Sequence, residues 1–224
     1  MATETLWTGE NGVRLERLVT SGPYVIDGER IELENNVYLI GDSETVLVVD
    51  ASHDANAIAE ATAGRTVPAI VLTHGHLDHI NAAPETSDLV DALALLHSED
   101  AMLWEQAHGQ RTGPHRTPGG TLKNGEEFVI AGLRLQVLHT PGHTPGSVSI
   151  YAPEAGWVLT GDTLFPGGPG ATGRPFSSFP QIIESIESTL FELPEDTAVY
   201  PGHGDSTTIG AEKPSLQEWK DRGH

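Results

Sequence analysis

The sequence predicts an α/β protein, because segments typical of buried strands alternate with segments typical of helices. Residues 45–50 form a short β-branched run that ends in a carboxylate, and the apolar residues 69–72 are typical of a second buried strand. Between them, residues 55–63 are good helix formers, with Asp54 placed as a cap and Gly64 suited to a left-handed stop. A strand–helix–strand unit of this length implies parallel strands joined by a right-handed crossover.

The second half of the chain continues the alternation with a different mixture of elements. Residues 133–138 alternate between apolar and polar side chains, and a loop rich in glycine and proline separates them from a strand predicted at 147–151. Further strands are predicted at 157–160 and 197–200. The helix predicted between these two strands is indicated by the spacing of Ile182, Ile183, Ile186 and Leu190, with Pro180 in its first turn and Pro194 beyond its end.

The composition favours one packed domain spanning residues 1–224. Apolar residues make up 38% of the chain, and no apolar run approaches the roughly 20 residues needed to span a bilayer. The first residues lack the basic and apolar regions of a signal peptide, so we expect a cytoplasmic protein. The chain has no cysteine, which excludes disulfides, a thiolate nucleophile and metal sites with Cys ligands.

The charge balance restricts the class of partner. The chain carries 12 basic and 32 acidic side chains, a formal net charge of −20. A phosphate backbone would meet net repulsion, so we do not expect nucleic acid as a partner. We do not expect a membrane partner either, because no apolar run is long enough to span a bilayer. We expect a small-molecule substrate instead, and no pattern indicates the oligomeric state.

A metal-binding motif follows the second buried strand, in the segment Thr73-His74-Gly75-His76-Leu77-Asp78-His79. Alternate residues of an extended loop point to one side, so His74 and His76 can bind one cation. Asp78 and His79 then turn toward a neighbouring position. The alternative is a set of solvated polar residues, but four metal-competent side chains behind a buried strand favour ligands.

Three more candidate ligands, His143, Asp162 and His203, each lie in a glycine-bearing loop directly after a predicted strand. Taken singly, each is more typical of an ordinary loop histidine or a Gly-Asp turn. Because the carboxyl ends of strands in an α/β sheet gather ligands, their shared placement favours a common site. Five histidines and two aspartates are enough for two hydrolytic metals that share a carboxylate.

The chain resembles the metallo-β-lactamase superfamily, and glyoxalase II most closely within it. The resemblance is carried, from about residue 37 to residue 203, by the segments 73–79, Gly142-His143-Thr144, 161–165 and Gly202-His203-Gly204. It implies an α/β fold of the αββα type, a sandwich of two mixed β-sheets with helices on the outer faces.

The same resemblance implies a ligand set and a mechanism. One metal would take His74, His76 and His143, the second would take Asp78, His79 and His203, and Asp162 would bridge them. We expect two divalent ions, zinc first with iron or manganese as alternatives. A hydroxide between the ions would attack the acyl carbon of a thioester, with Asp78 and Asp162 as the catalytic carboxylates.

The sequence departs from glyoxalase II where that family grips glutathione. Only about twenty residues follow His203, so we do not expect the family's recognition of glutathione to carry over, and the stretch 161–179 looks like that of shorter hydrolases. Two polar loops, 108–120 and 165–179, carry Arg111, Arg116 and Arg174, which we interpret as candidates for binding a substrate carboxylate. The alternative is that each arginine pairs with a surface acid.

Two residues near the motif have less certain roles. Asp50 is interpreted either as a partner for the second nitrogen of a metal-bound histidine or as a carboxylate that opens the following helix. His53 is interpreted as a capping-region or surface residue rather than a ligand.

Other functions remain open at this point. A persulfide dioxygenase with a single iron uses nearly the same motifs, and a lactone hydrolase would use the same two metals. Lactam hydrolysis is less expected, because those enzymes generally lack a bridging carboxylate at the position of Asp162. A binding protein without catalysis is least expected, since every matching ligand position is filled.

Overall fold

The computed structural model describes residues 2–26 and 28–223 and arranges their strands in two mixed sheets and a short ribbon. The first sheet contains, in chain order, β1 (Glu4–Thr8), β2 (Arg14–Ile26), β3 (Glu29–Gly41), β4 (Val46–Val49), β5 (Ile70–Val71), β6 (Ala94–His97) and β7 (Gly120–Leu122). The strands that follow are β8 (Glu127–Ile130), β9 (Leu133–His139), β10 (Val148–Ala152), β11 (Trp157–Gly161), β12 (Leu164–Phe165), β13 (Gly168–Pro169), β14 (Ala198–Pro201) and β15 (Thr207–Thr208). Of these, β12 and β13 form the ribbon, and the others form the second sheet in the order β15-β14-β11-β10-β9-β8.

Both sheets combine the two strand directions. In the first sheet, neighbours from β1 to β4 are antiparallel and neighbours from β4 to β7 are parallel. In the second sheet, β8 to β11 are antiparallel, whereas β11 and β14 are parallel. The antiparallel hairpin of β2 and β3, with thirteen residues in each strand, is not among the elements predicted from the sequence.

The helices of the described residues are α1 (Ala55–Thr62), α2 (Leu77–Ile80), α3 (Ala83–Val90), α4 (Ala101–His108), α5 (Phe179–Ser188), α6 (Ile209–Glu212) and α7 (Leu216–Arg222), with 3₁₀ turns at Glu10–Gly12, Ser98–Asp100, Leu190–Glu192 and Lys213–Ser215. The strand–helix–strand prediction is confirmed, because β4 and β5 are parallel and flank α1. The Asp54 side chain caps α1 by accepting from the Ala57 N–H at 2.9 Å.

Three apolar clusters define four layers. One cluster takes side chains from both sheets, such as Ile40, Val49, Val137 and Ile150, and therefore lies between them. The second joins the other face of the first sheet to α1–α4, and the third joins the other face of the second sheet to α5–α7. The αββα sandwich implied by the family resemblance is confirmed.

The strands that precede the candidate ligands bring those ligands to one edge of the sandwich. His74 follows β5 of the first sheet, and His143, Asp162 and His203 follow β9, β11 and β14 of the second. Backbone hydrogen bonds join the sheets at this edge: Val148 N–H donates to Thr73 O, and Asn36 N–H donates to Gly202 O, each at 2.8 Å. No helix within residues 2–26 and 28–223 is long and apolar enough to cross a membrane.

Candidate metal centre

The first group of candidate ligands consists of His74, His76 and His143, whose donor nitrogens all lie within 4.8 Å of one another. His76 Nδ1 is 2.8 Å from His143 Nε2. The three rings meet at 80–87° instead of stacking, so their in-plane lone pairs can converge on one point. This group can hold one cation through three imidazoles.

The second group consists of Asp78, His79 and His203. His79 Nε2 and His203 Nε2 are 3.1 Å apart, and Asp78 Oδ2 lies 3.4 Å from the first and 3.2 Å from the second. Two imidazoles and a carboxylate therefore face a second common point. All seven ligands suggested by the sequence lie at this edge of the sandwich.

Asp162 lies between the two groups. Its Oδ2 is 3.5 Å from His143 Nε2 of the first group and 3.5 Å from His203 Nε2 of the second, and its Oδ1 is 3.4 Å from His79 Nε2. One carboxylate can thus serve both positions, which is the geometry of a bridging ligand.

The second ring nitrogen of these histidines is already engaged. His79 Nδ1 lies 2.8 Å from Asp50 Oδ2, His143 Nδ1 lies 2.8 Å from Ala171 O, and His203 Nδ1 lies 2.6 Å from Glu34 O. Since these oxygens only accept, each Nδ1 must donate and each neutral ring leaves Nε2 as an acceptor. The hydrogen-bond partners fix the tautomers that metal binding requires.

These tautomers show that the residues fit a pair of cations. When both rings are neutral, the Nε2 atoms of His79 and His203 are acceptors that face each other at 3.1 Å, an arrangement that repels unless a positive charge lies between them. His74 Nε2 is fully buried without a hydrogen-bond partner, as is Asp162 Oδ1. Imidazoles and carboxylates without thiolates suit zinc, iron or manganese.

The pKa values divide the site into a neutral half and a charged half. Burial, with the neighbouring His143, lowers the pKa of His76 to about 4, and burial also lowers the pKa of His74 and His143. Burial acts in the same direction on His79, but the carboxylates of Asp162, Asp78 and Asp50 outweigh it and raise the pKa of His79 well above its usual range. The carboxylates are thus concentrated around His79 in the second group, where they keep its ring protonated.

The two aspartates stay ionised despite their burial. Burial alone would raise their pKa values, but the surrounding histidines, His79 foremost, lower the pKa of Asp78 and of Asp162 well below the usual range. His203 shows the converse effect: hydrogen bonds to Asp162 and Asp78 outweigh its burial and raise its pKa to about 9. At neutral pH the second group therefore holds protons that a metal ion would have to displace.

Buried acids hold the loops in register. Asp100 accepts from Gly75 N–H at 2.7 Å, from Gly146 N–H at 2.6 Å and from Thr144 Oγ1 at 2.7 Å, which ties the His74–His76 loop to the His143 loop. Asp50 accepts from Thr73 N–H and Oγ1 as well as from His79. The contacts of Asp50 agree with an orienting role rather than with a simple helix start.

Close packing explains a glycine beside a ligand. A Cβ on Gly202 would lie 2.5 Å from both Asp162 Oδ1 and His79 Cε1, which no ordinary contact allows. The glycine before His203 therefore leaves room for two other ligands. The surrounding loop can approach the centre only because this position has no side chain.

A cleft of about 590 Å³ opens onto the ligands. Its walls include Tyr24 and Leu33 of the β2–β3 hairpin, Phe165 of the ribbon, and Arg174. The hairpin residues were missed in the sequence, because nothing local in β2 or β3 connects them to a motif in residues 73–79.

The structure separates the three candidate arginines. Arg174 lines the cleft and lies close enough to Tyr24 to lower the pKa of its hydroxyl, although burial outweighs this and leaves the pKa raised. Arg111 instead pairs with Asp88 at 2.9 Å, and Arg116 lies 3.8 Å from Glu105. Neither Arg111 nor Arg116 is among the described residues that line the cleft, and each instead lies within ion-pair distance of an acid on the surface.

A further histidine group lies outside the centre. Donor atoms of His97, Glu99 and His139 fall within 4.8 Å, but the two rings stack at 20° with centroids 4.2 Å apart. Parallel rings direct their in-plane lone pairs side by side and not toward one point. This arrangement agrees with the exclusion of both histidines as primary ligands.

An αββα sandwich with histidine and aspartate groups at one sheet edge defines the class of this protein as a metal-dependent hydrolase. The comparisons with known proteins give the family. Residues 30–203 match the model of the metallo-β-lactamase superfamily, and the chain belongs to this superfamily.

Three similar proteins show how varied this superfamily is. Hydroxyacylglutathione hydrolase GloC of Haemophilus influenzae is 33% identical over 196 residues, which cover 81% of this chain and 91% of that protein. The B3 metallo-β-lactamase BLEG-1 is 28% identical with a TM-score of 0.72, covering 88% of this chain and 97% of that chain. TTHA1623, crystallised in a di-iron-bound form, is 32% identical with a TM-score of 0.71, covering 86% and 96%.

Proposed function

We propose that this protein is a binuclear metal-dependent hydrolase that cleaves a thioester. The observation that carries the proposal is the position of Asp162, whose two oxygens lie 3.4–3.5 Å from histidines of both ligand groups. The di-iron form of the similar TTHA1623 supports a two-metal site, and the hydroxyacylglutathione hydrolase GloC supports an acylated thiol as substrate.

The ligand assignment follows the two groups. His74, His76 and His143 would hold one ion, Asp78, His79 and His203 would hold the other, and Asp162 would be shared. With two divalent ions held by these residues, the site would supply a hydroxide at neutral pH and would polarise the carbonyl under attack. Zinc, iron and manganese all suit this donor set.

The chain's own residues prepare the site for that chemistry. Asp50, Ala171 O and Glu34 O hold the tautomers of His79, His143 and His203, so that no ring has to rotate or move a proton during turnover. Such preorganised groups lower the cost of reorganisation in the transition state. Arg174 at the wall of the cleft can bind a carboxylate of the substrate.

The protonation of the site favours a thiol leaving group. Asp78 and Asp162 are held ionised, so neither carboxyl can readily protonate a departing group. A thiolate leaves without such help, because the pKa of an ordinary thiol is about 8.5. An alkoxide or an amine needs a proton that these two carboxylates do not supply, and this difference supports a thioester as the substrate.

The test combines metal analysis with a substrate panel on one preparation. We expect about two divalent ions per chain, loss of activity on chelation, recovery when metal is restored, and faster cleavage of thioesters than of lactones, β-lactams or phosphodiesters. Thiol release would be followed with a thiol-reactive dye. One iron per chain together with oxygen consumption would instead show a dioxygenase.

A further inference from the structure

A chain of hydrogen bonds runs from the end of α2 to one of the candidate ligands. The Asn81 side chain contacts His53, His53 Nε2 is 2.8 Å from Asn35 Oδ1, and Asn35 Nδ2 is 3.1 Å from Asp78 Oδ2. Neither Asn35 nor His53 belongs to the metal-binding motif. Asn35 is fully buried, and His53 is half-buried.

The direction of this chain is set by a backbone group. The N–H of His53 donates to Asn81 Oδ1 at 2.7 Å, so the nitrogen of that amide is the group that faces His53 Nδ1, at 3.0 Å. Because Nδ1 must then accept, neutral His53 carries its proton on Nε2 and donates it to Asn35 Oδ1. The amide nitrogen of Asn35 is left facing Asp78, where it donates to the carboxylate.

The local backbone is shaped to hold this histidine. His53 adopts φ of 60°, in the left-handed region that is uncommon for residues other than glycine. Gly22 on β2 lies against its ring, and a Cβ there would be 2.6 Å from His53 Nδ1. Burial lowers the pKa of His53, which favours the neutral ring that the hydrogen bonds require.

Asn35 contacts every member of one ligand group. Besides Asp78 Oδ2, its Nδ2 lies 3.2 Å from His79 Nε2 and 3.5 Å from His203 Nε2. Asp78 Oδ2 is also the oxygen that faces those two nitrogens. The amide therefore borders the second metal position. Among the described residues, none of its hydrogen-bond partners belongs to the first ligand group.

We propose that His53 and Asn35 are positioning residues that fix Asp78 for the second of the two metal positions. This inference rests on the proposed two-metal function. Removing His53 frees the Asn35 amide to rotate, so Asp78 Oδ2 loses a fixed donor and the second group loses its preformed geometry. Outer partners of this kind typically change metal affinity by about 10–100-fold.

The test is a metal titration of the full-length protein. Metal-free wild type and His53→Ala would be titrated with Zn²⁺ against a chromophoric chelator. We expect two binding steps in the wild type, and in His53→Ala a second step weakened by about 10–100-fold with the first step unchanged. His53→Gln should restore the second step, because a glutamine amide nitrogen can replace Nε2 as the donor.

A matched control is His115→Ala, which removes another half-buried loop histidine whose Nε2 lies 3.5 Å from Asp88 Oδ1. The two Zn²⁺ affinities of this variant should equal those of the wild type. If the wild type binds fewer than two ions, the proposed function fails. If the wild type binds two but His53→Ala keeps both affinities, or loses both in parallel, the positioning role is overturned.

Two measurements cover the case in which His53→Ala does not fold. Asn35→Ala alters a residue in the regular backbone of β3 and should produce the same selective loss at the second step. In addition, heteronuclear NMR of the wild type should find the His53 ring protonated at Nε2. Protonation at Nδ1 alone would overturn the argument directly.

Discussion

Replacing Asp50 by Asn should weaken the second metal position without changing the shape of the core. The Asp50 carboxylate is 1% exposed and accepts from Thr73 N–H at 2.8 Å, from Thr73 Oγ1 at 2.9 Å and from His79 Nδ1 at 2.8 Å. An amide of the same shape turns one of these acceptors into a donor. If its oxygen keeps the Thr73 N–H, its nitrogen faces His79 Nδ1.

The expected loss of metal affinity follows from this change of one acceptor atom into a donor. His79 can offer Nε2 to a metal only while Nδ1 carries the proton, so in Asp50→Asn two donors oppose each other. Losing a hydrogen bond to a charged acceptor costs about 1.5–3 kcal/mol. We expect the affinity of the Asp78–His79–His203 position to fall by about 10–150-fold. If the amide is flipped instead, its nitrogen faces the Thr73 N–H, so two donors oppose each other there.

The assay is the two-step Zn²⁺ titration with activity measured on the same samples. Asp54→Asn is the matched control, because it removes the same charge four residues away, where asparagine caps a helix as well as aspartate does. That control should keep both metals and full activity. An Asp50→Asn variant that retains the wild-type affinity at the second step would show that Asp50 does not orient His79 for the metal.

Three other outcomes can be checked. Asp162→Ala should lose the second metal and most activity, and two fully bound ions in this variant would contradict the bridging role. Arg174→Ala should raise KM with unchanged metal content, whereas Arg111→Ala, which breaks the ion pair with Asp88, should leave KM unchanged. Equal KM values for wild type and Arg174→Ala would show that Arg174 does not bind the substrate. Burial raises the pKa of Tyr38, so the unfolded chain loses this proton first and the free energy of unfolding should fall as the pH rises above about 10. Tyr38→Phe should flatten that fall in alkaline denaturation curves, and an unchanged slope would show that another group is responsible.

The grouping of the candidate ligands could be predicted because each of these residues lies in a local pattern. A buried β-branched run followed by His-x-His-x-Asp-His, and three strands each followed by a glycine-bearing loop, are visible within a few residues. Strand ends of one sheet edge meet in space, so local patterns were enough to place these side chains together.

The surroundings of the ligands could not be predicted, since they depend on contacts distant in sequence. Asn35 lies 43 residues from Asp78 and reaches it only because β3 pairs beside β4. Its one local signal is a pair of asparagines directly before a buried apolar run. Loop position likewise did not reveal that Arg111 and Arg116 lie beside acids on adjacent helices and outside the cleft lining.

Each ligand group draws on both halves of the chain. His74 and His76 follow a strand of the first sheet and meet His143 from the second, while Asp78 and His79 meet His203 from the second. Ions held there would act as cross-links between the sheets in a chain that has no cysteine for disulfides. Binding to the folded state alone adds stability in proportion to the logarithm of free metal concentration. Metal supply would therefore set how long the sandwich survives heat or protease, as well as whether it is active.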